Sequence, residues 1–253
     1  MVTGLNLFRD HFAAYGDRYV LIGGAACDML MQNAGLPFRA TKDLDIVLCI
    51  EALDAAFVQT FWNFVRDGAY QQQQNAAGRP TYYRFAKPEQ RGYPYMLELF
   101  ARKPDLLGAP RSGAHLTPIP VEECSSLSAI LMDDTYYAFL QGGKIQLDGI
   151  TLLNAEHLIP LKARAWLDLG TRRQAGIQVD SKAITKHRND VIRLFQLLDP
   201  NAVLDIPNTI AYDMDRFLKA MATESVNLNA LGIRALDLGR LLDKLRVLYV
   251  EGH

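Results

Sequence analysis

The sequence predicts an α+β chain in two parts: strands and helices mixed over residues 1–153, then a mostly helical stretch over 154–253. Two observations carry this. Before Leu153, short apolar or alternating runs are set apart by glycine, proline and polar clusters, as strands are. After Asn154, apolar residues recur at helical spacing and the strand-like runs stop.

Residues 5–15 (LNLFRDHFAAY) space their apolar groups as a helix does, and 18–22 (RYVLI) form an apolar strand ending at Gly23-Gly24. Residues 25–34 read as a helix stopped at Gly35, with Pro37 beyond. Residues 43–49 (DLDIVLC) alternate and then turn fully apolar, a half-buried strand. Residues 51–66 make an amphipathic helix with Leu53, Phe57, Phe61 and Phe64 or Val65 on one side. Gln71 to Gln74 is a polar run, Asn75 to Pro80 turn-like, and 81–85 and 93–101 strands. The Pro- and Gly-rich stretch 104–120 reads as a loop, 127–132 as a strand and 133–140 as a short helix. Asp148-Gly149 between two apolar runs is a hairpin signal. Asn154 caps a helix reaching about Gly170, and 181–198, 210–221 and 231–249 read as further helices.

Nearly half of the 253 residues are hydrophobic, enough for one large or two modest domains. The net charge of -1 is unlike a strongly basic nucleic-acid protein, so an RNA partner would need a local basic face. Cys27, Cys49 and Cys124 are odd in number, lack metal-ligand spacing and sit among apolar neighbours, which suits buried free thiols in a reducing compartment. The N-terminus has no apolar signal-peptide core, and no apolar run approaches the roughly 20 residues of a membrane span. The expectation is a cytoplasmic chain without a membrane partner. Neither G-x-x-x-x-G-K-[ST] nor G-x-G-x-x-G is present, which leaves P-loop and Rossmann readings without a phosphate-binding signature.

The chemistry starts from Asp43-Leu44-Asp45. Residues i and i+2 of a strand share a face, so the two carboxylates stand on the order of 7 Å apart. Their mutual repulsion is relieved by a divalent cation, and Mg²⁺ prefers carboxylate oxygens together with substrate phosphates. That is the chemistry of phosphoryl and nucleotidyl transfer. Upstream, Gly23-Gly24 joins a strand to a helix, where backbone N–H groups and the helix dipole favour phosphate. Downstream, Glu98 lies in an apolar strand. It either completes the metal cluster or acts as general base, or it is an edge-strand glutamate in solvent. Lys162 lies on the apolar stripe of its helix, either snorkelling or recruited, and pairs with Asp190 either in a site or merely to join two helices. Lys42 is a candidate phosphate contact, while Arg39 reads as solvent-facing. His115, His157 and His187 show no metal spacing, and Trp62 and Trp166 read as core.

The arrangement VLIGGAACDML…ATKDLDIVL…YMLELFA resembles the polymerase-β-type nucleotidyltransferase superfamily, whose pattern is a Gly-Gly turn, a helix, a D-x-D strand and a third acid on a later strand. The stretch from Gly24 to Asp43 is longer than that pattern carries, with a loop insertion near Gly35-Leu36-Pro37. Residues 153–169 and 182–194 resemble the helical segments of the AbiEii-type branch, which holds abortive-infection and toxin–antitoxin nucleotidyltransferases. There the matching positions are Lys162 and the cluster Lys186-His187-Arg188-Asn189-Asp190. The resemblance implies a nucleotidyltransferase fold, a mixed sheet flanked by helices, over 1–153, followed by a helical domain over 154–253. It implies Asp43, Asp45, Glu98, Lys162 and Asp190 as catalytic residues, with Asp43, Asp45 and Glu98 on Mg²⁺ or Mn²⁺. Gly23, Gly24, Lys42 and Lys186 would hold the nucleotide. The substrate would be a nucleoside triphosphate, the acceptor a tRNA 3′ end, and a cognate antitoxin a partner. A small hydroxylated acceptor such as an antibiotic, and a catalytically silent nucleotide-binding protein, are the alternatives.

Overall fold

The computed structural model describes residues 2–49, 54–74, 80–100, 133–199 and 201–251. The readings of 104–120 as a loop and 127–132 as a strand, and those for Leu53, His115 and Cys124, lie outside the described residues. The described residues fall into two compact units. One holds residues 2–29, 39–100 and 144–153; the other holds 30–38, 133–143 and 154–251.

Among the described residues, the first unit is built on a seven-stranded mixed sheet. Its strands are β1 (Tyr19–Ile22), β2 (Asp43–Leu48), β3 (Gln71–Gln74), β4 (Pro80–Ala86), β5 (Met96–Phe100), β6 (Lys144–Leu147) and β7 (Ile150–Leu153). The order across the sheet is β3-β4-β5-β2-β1-β7-β6. β2 runs parallel to β5 and β1 to β7, and the other pairs are antiparallel. The α+β class read from the sequence is therefore the observed one. β6 and β7 meet at Asp148-Gly149, both at positive φ (49° and 77°), which is the backbone a two-residue hairpin turn demands.

Helix α1 (Leu5–His11) and helix α3 (Ala55–Asp67) supply the sheet's aromatic cover. Phe57, Phe61 and Phe64 follow at helical spacing on α3, and all three are buried with Phe8, Phe12 and Tyr19. Phe8 and Phe12 lie 4.6 Å apart, and Phe8 meets Tyr19 edge-on at 5.2 Å. Burial of each such ring contributes about 1.5–3 kcal/mol. Asp54 starts α3 by accepting the Phe57 N–H at 2.8 Å. Helix α2 (Gly23–Asn33) follows β1 with no intervening loop, so the turn read at Gly23-Gly24 is itself the first turn of the helix.

The second unit is helical: α4 (Asp134–Gly142), α5 (Ala155–Gln174), α6 (Ser181–Leu194), α7 (Asn208–Met221) and α8 (Leu238–Arg246). α5 passes Gly170 and runs to Gln174. α6 is shorter than read and closes in a 3₁₀ turn over Phe195–Leu197. The helix expected over 231–249 begins only at Leu238, because the Asp237 carboxylate accepts the Arg240 N–H at 2.9 Å and fixes the start there. His157 belongs to the packing of this unit. It stacks on Phe139 with ring centroids 4.2 Å apart, and burial draws its pKa down to about 4.

Pro160 sits inside α5 and has no N–H for the Glu156 carbonyl four residues earlier. The hydroxyl of buried Tyr249 donates to that carbonyl at 2.8 Å instead. Asp213, 2% exposed, ties three helices together. It accepts two bonds from Arg164 of α5 at 2.7 and 2.8 Å and one from the Tyr136 hydroxyl of α4 at 2.9 Å.

Candidate active site

Gly23 is where the sheet turns into α2, at φ +69°, a backbone that L side chains rarely adopt. A Cβ there would lie 1.7 Å from Oδ2 of Asp45. The residue must be glycine for both reasons, and the space it leaves is filled by an acid. The next amide, Gly24 N–H, points at Asp45 Oδ2 from 3.4 Å, so a carboxylate faces the positive end of the helix dipole.

Sheet register sets the rest. β1 and β2 place Ile22 opposite Asp45, β2 and β5 place Asp45 opposite Glu98, and β4 and β5 place Arg84 opposite Glu98. Asp45, Glu98 and Arg84 thus form one row across three strands. Asp45 hydrogen-bonds with Glu98, and Arg84 Nη2 makes an ion pair with Glu98 Oε1. The Glu98 side chain is 14% exposed and that of Arg84 36%. Burial first, and the Asp45 charge second, raise the Glu98 carboxyl to about 8; Arg84 pulls the other way without cancelling them.

Asp43 opens β2 opposite Met96, one step along the strand on the face of Asp45. Among the described residues no three acidic, histidine or cysteine side chains gather as a ready-made metal site. Of the expected acids Asp43, Asp45 and Glu98, Asp45 and Glu98 are in contact, and Glu98 is also held by Arg84. The donor chemistry of the row, hard carboxylate oxygens, fits Mg²⁺ or Mn²⁺.

Arg39, read as solvent-facing, brings Nη2 within 3.2 Å of where a Gly24 Cβ would be, beside the Thr41 hydroxyl. Lys42, the expected phosphate contact, lies over the Tyr95 ring, 5.9 Å from its centroid.

The other expected site residues belong to the helical unit. Lys162 Nζ lies 3.1 Å from Asp190 Oδ2, with side chains 2% and 0% exposed. The ammonium is therefore buried with its partner and does not snorkel. Lys186 is exposed on α6. Sequence reasoning missed Arg84 and Asp213. Asp213 left a readable signal, an acid on the apolar stripe of Ile210, Met214, Phe217 and Met221. Arg84 left none, because its place opposite Glu98 is set by strand register alone.

Fold and site together define a mixed α+β protein whose sheet presents an acidic pair to a helix N-terminus. No family model matches the chain, and no curated protein matches it significantly. Among solved structures it is similar to the antibiotic-resistance factor ANT(2'')-Ia, determined in solution, at 11% identity and a TM-score of 0.36 over 87% of this chain and 95% of that one. Among the described residues no helix is long and apolar enough to cross a membrane.

Proposed function

We propose that this chain is a metal-dependent nucleotidyltransferase, of the AbiEii-like branch of the polymerase-β-type superfamily, moving a nucleoside monophosphate from a triphosphate to an acceptor hydroxyl. The observation that carries the reading is the Asp45–Glu98 contact, in register on parallel neighbouring strands, with Asp45 against the Gly24 amide of α2. Two carboxylates held in contact are costly alone and become favourable around a divalent cation.

In this reading Asp43, Asp45 and Glu98 would hold Mg²⁺ or Mn²⁺. When bound, the ion supplies charge for the phosphate oxygens and acidifies the attacking hydroxyl. The amides of Gly23 and Gly24 and the nearby Arg39 guanidinium take phosphate oxygens. The acceptor oxygen attacks the α-phosphorus, the bond to the bridging oxygen breaks, and pyrophosphate leaves. The hydroxyl proton passes to a carboxylate of the row. The resemblance to the toxin-type branch makes a tRNA 3′ end the first acceptor to test, and a hydroxylated antibiotic the second. It also assigns Lys162 and Asp190 to catalysis, Lys42 and Lys186 to the nucleotide, and a cognate antitoxin as partner.

The test is label transfer from each of the four nucleoside triphosphates, with Mg²⁺ or with chelator, to total tRNA, to a panel of hydroxylated antibiotics and to protein. Transfer that needs the metal and disappears in Asp45→Asn is expected. Absence of transfer from every nucleotide, despite tight metal and triphosphate binding, would leave a silent binding protein instead.

A further inference from the structure

Arg84 has no part in the proposed transfer, yet its guanidinium pairs with Glu98 of the acidic pair. It stands opposite Glu98 across β4 and β5, its guanidinium on Glu98 Oε1, while Asp45 meets the same side chain from β2. It is also the more exposed member of the row, 36% against 14% for Glu98, so it can leave without unpacking the sheet. A charge placed this way neutralises the acids when no other cation does. A divalent ion on the same carboxylates competes for the oxygen that Arg84 holds, and the two cations repel at such range. A guanidinium displaced from Glu98 needs a new anion, and its planar fork suits phosphate oxygens.

We infer that Arg84 is an internal counter-cation of the site: it occupies Glu98 until a divalent ion takes the carboxylates, and it then binds the triphosphate. This rests on the proposed nucleotidyl transfer and adds a rule to it. Metal alone binds weakly because it must displace Arg84. Metal and triphosphate together bind well because the phosphates accept the displaced guanidinium. By linkage, each ligand then raises the affinity of the other by the same factor.

The experiment is calorimetric titration of the full chain with Mn²⁺, with and without inorganic tripolyphosphate, for the parent, Arg84→Gln, Glu98→Gln and the double variant. Circular dichroism and melting temperature check that each is folded, and Arg84→Lys, which keeps the charge, serves as a second variant. Arg84→Gln is expected to bind Mn²⁺ alone roughly two- to five-fold more tightly than the parent, the fold-change of losing one partly exposed charge pair. Tripolyphosphate is expected to enhance its Mn²⁺ affinity less than it does in the parent, with Arg84→Lys between the two. In the Glu98→Gln background the Arg84→Gln effect is expected to vanish, because it acts through that carboxylate. Unchanged or weaker Mn²⁺ binding in Arg84→Gln, or an equal effect in the Glu98→Gln background, overturns the inference while leaving the nucleotidyltransferase reading standing. A parent chain that binds no Mn²⁺ even with tripolyphosphate overturns both.

Discussion

The raised carboxyl of Glu98 makes the metal-free protein less stable as pH rises, and Glu98→Gln isolates that effect. The folded chain binds the Glu98 proton up to about pH 8, whereas the free side chain releases it near 4.5. Between those values the unfolded state holds fewer protons than the native one, so the slope of unfolding free energy against pH is negative. The stabilisation is complete below the unfolded pKa and is gone once pH passes the folded one. One proton gives a slope of at most about 1.4 kcal/mol per pH unit, so roughly 2.5 kcal/mol is lost between about pH 5.5 and about pH 7.5. Glutamine carries no such proton and keeps the shape, so Glu98→Gln should lack this component. Urea unfolding in chelator would be followed by fluorescence in a Trp166→Phe background. That leaves Trp62, on α3 of the sheet unit, as the reporter, since the chain has two tryptophans. The stability difference between the Glu98→Gln chain and its Glu98 counterpart should widen in favour of glutamine as pH rises. Parallel curves across this range would refute the reasoning, because the other titrating groups, His157 among them, are common to both chains.

Gly23→Ala should lower the melting temperature, by an amount equivalent to roughly 1–3 kcal/mol, and abolish Mn²⁺ binding by displacing the Asp45 carboxylate; Mn²⁺ affinity equal to the parent's would contradict the fit described for that turn. Lys162→Met should cost about 3–5 kcal/mol in denaturant unfolding by stranding buried Asp190, and Lys162→Met with Asp190→Leu should recover most of it. If the double variant is as unstable as the single one, the pair is not what the two positions contribute. Tyr249→Phe should cost roughly 1–3 kcal/mol, measured by thermal and urea unfolding, because the Glu156 carbonyl loses its donor in a buried place; a loss within error of zero would mean that the carbonyl finds another partner.

The strands that build the site are legible because each combines a short apolar run with flanking breakers, as Tyr19–Ile22 does before Gly23 and Asp43–Leu48 does with its alternating start. The Asp148-Gly149 hairpin is legible for a local reason too, since its turn chemistry is carried by the two residues themselves. What stays hidden depends on register and on distant packing. Nothing in TYYRF says that Arg84 will stand opposite Glu98, and nothing near Lys42 says that Tyr95 will engage it while Arg39 reaches the glycine turn. The late start of α8 escapes the sequence reading because the periodicity of 231–249 is helical throughout, and only the Asp237 cap marks where the helix begins. Glu98 shows the same divide: its strand is evident, but the company of Asp45 on one side and Arg84 on the other is not.

The bond from Tyr249 to Glu156 carries a consequence for how this chain can vary. A proline within a helix leaves one carbonyl without a donor, and here the remedy comes from 93 residues further along. Positions 160 and 249 are thereby expected to vary together. Where a related chain replaces Pro160 by a residue with an N–H, the helix supplies its own bond and the hydroxyl at 249 becomes dispensable. Where the proline stays, loss of that hydroxyl carries a penalty. An alignment of relatives is expected to show correlated change at these two positions, linking the closing segment to the helix that bears Lys162.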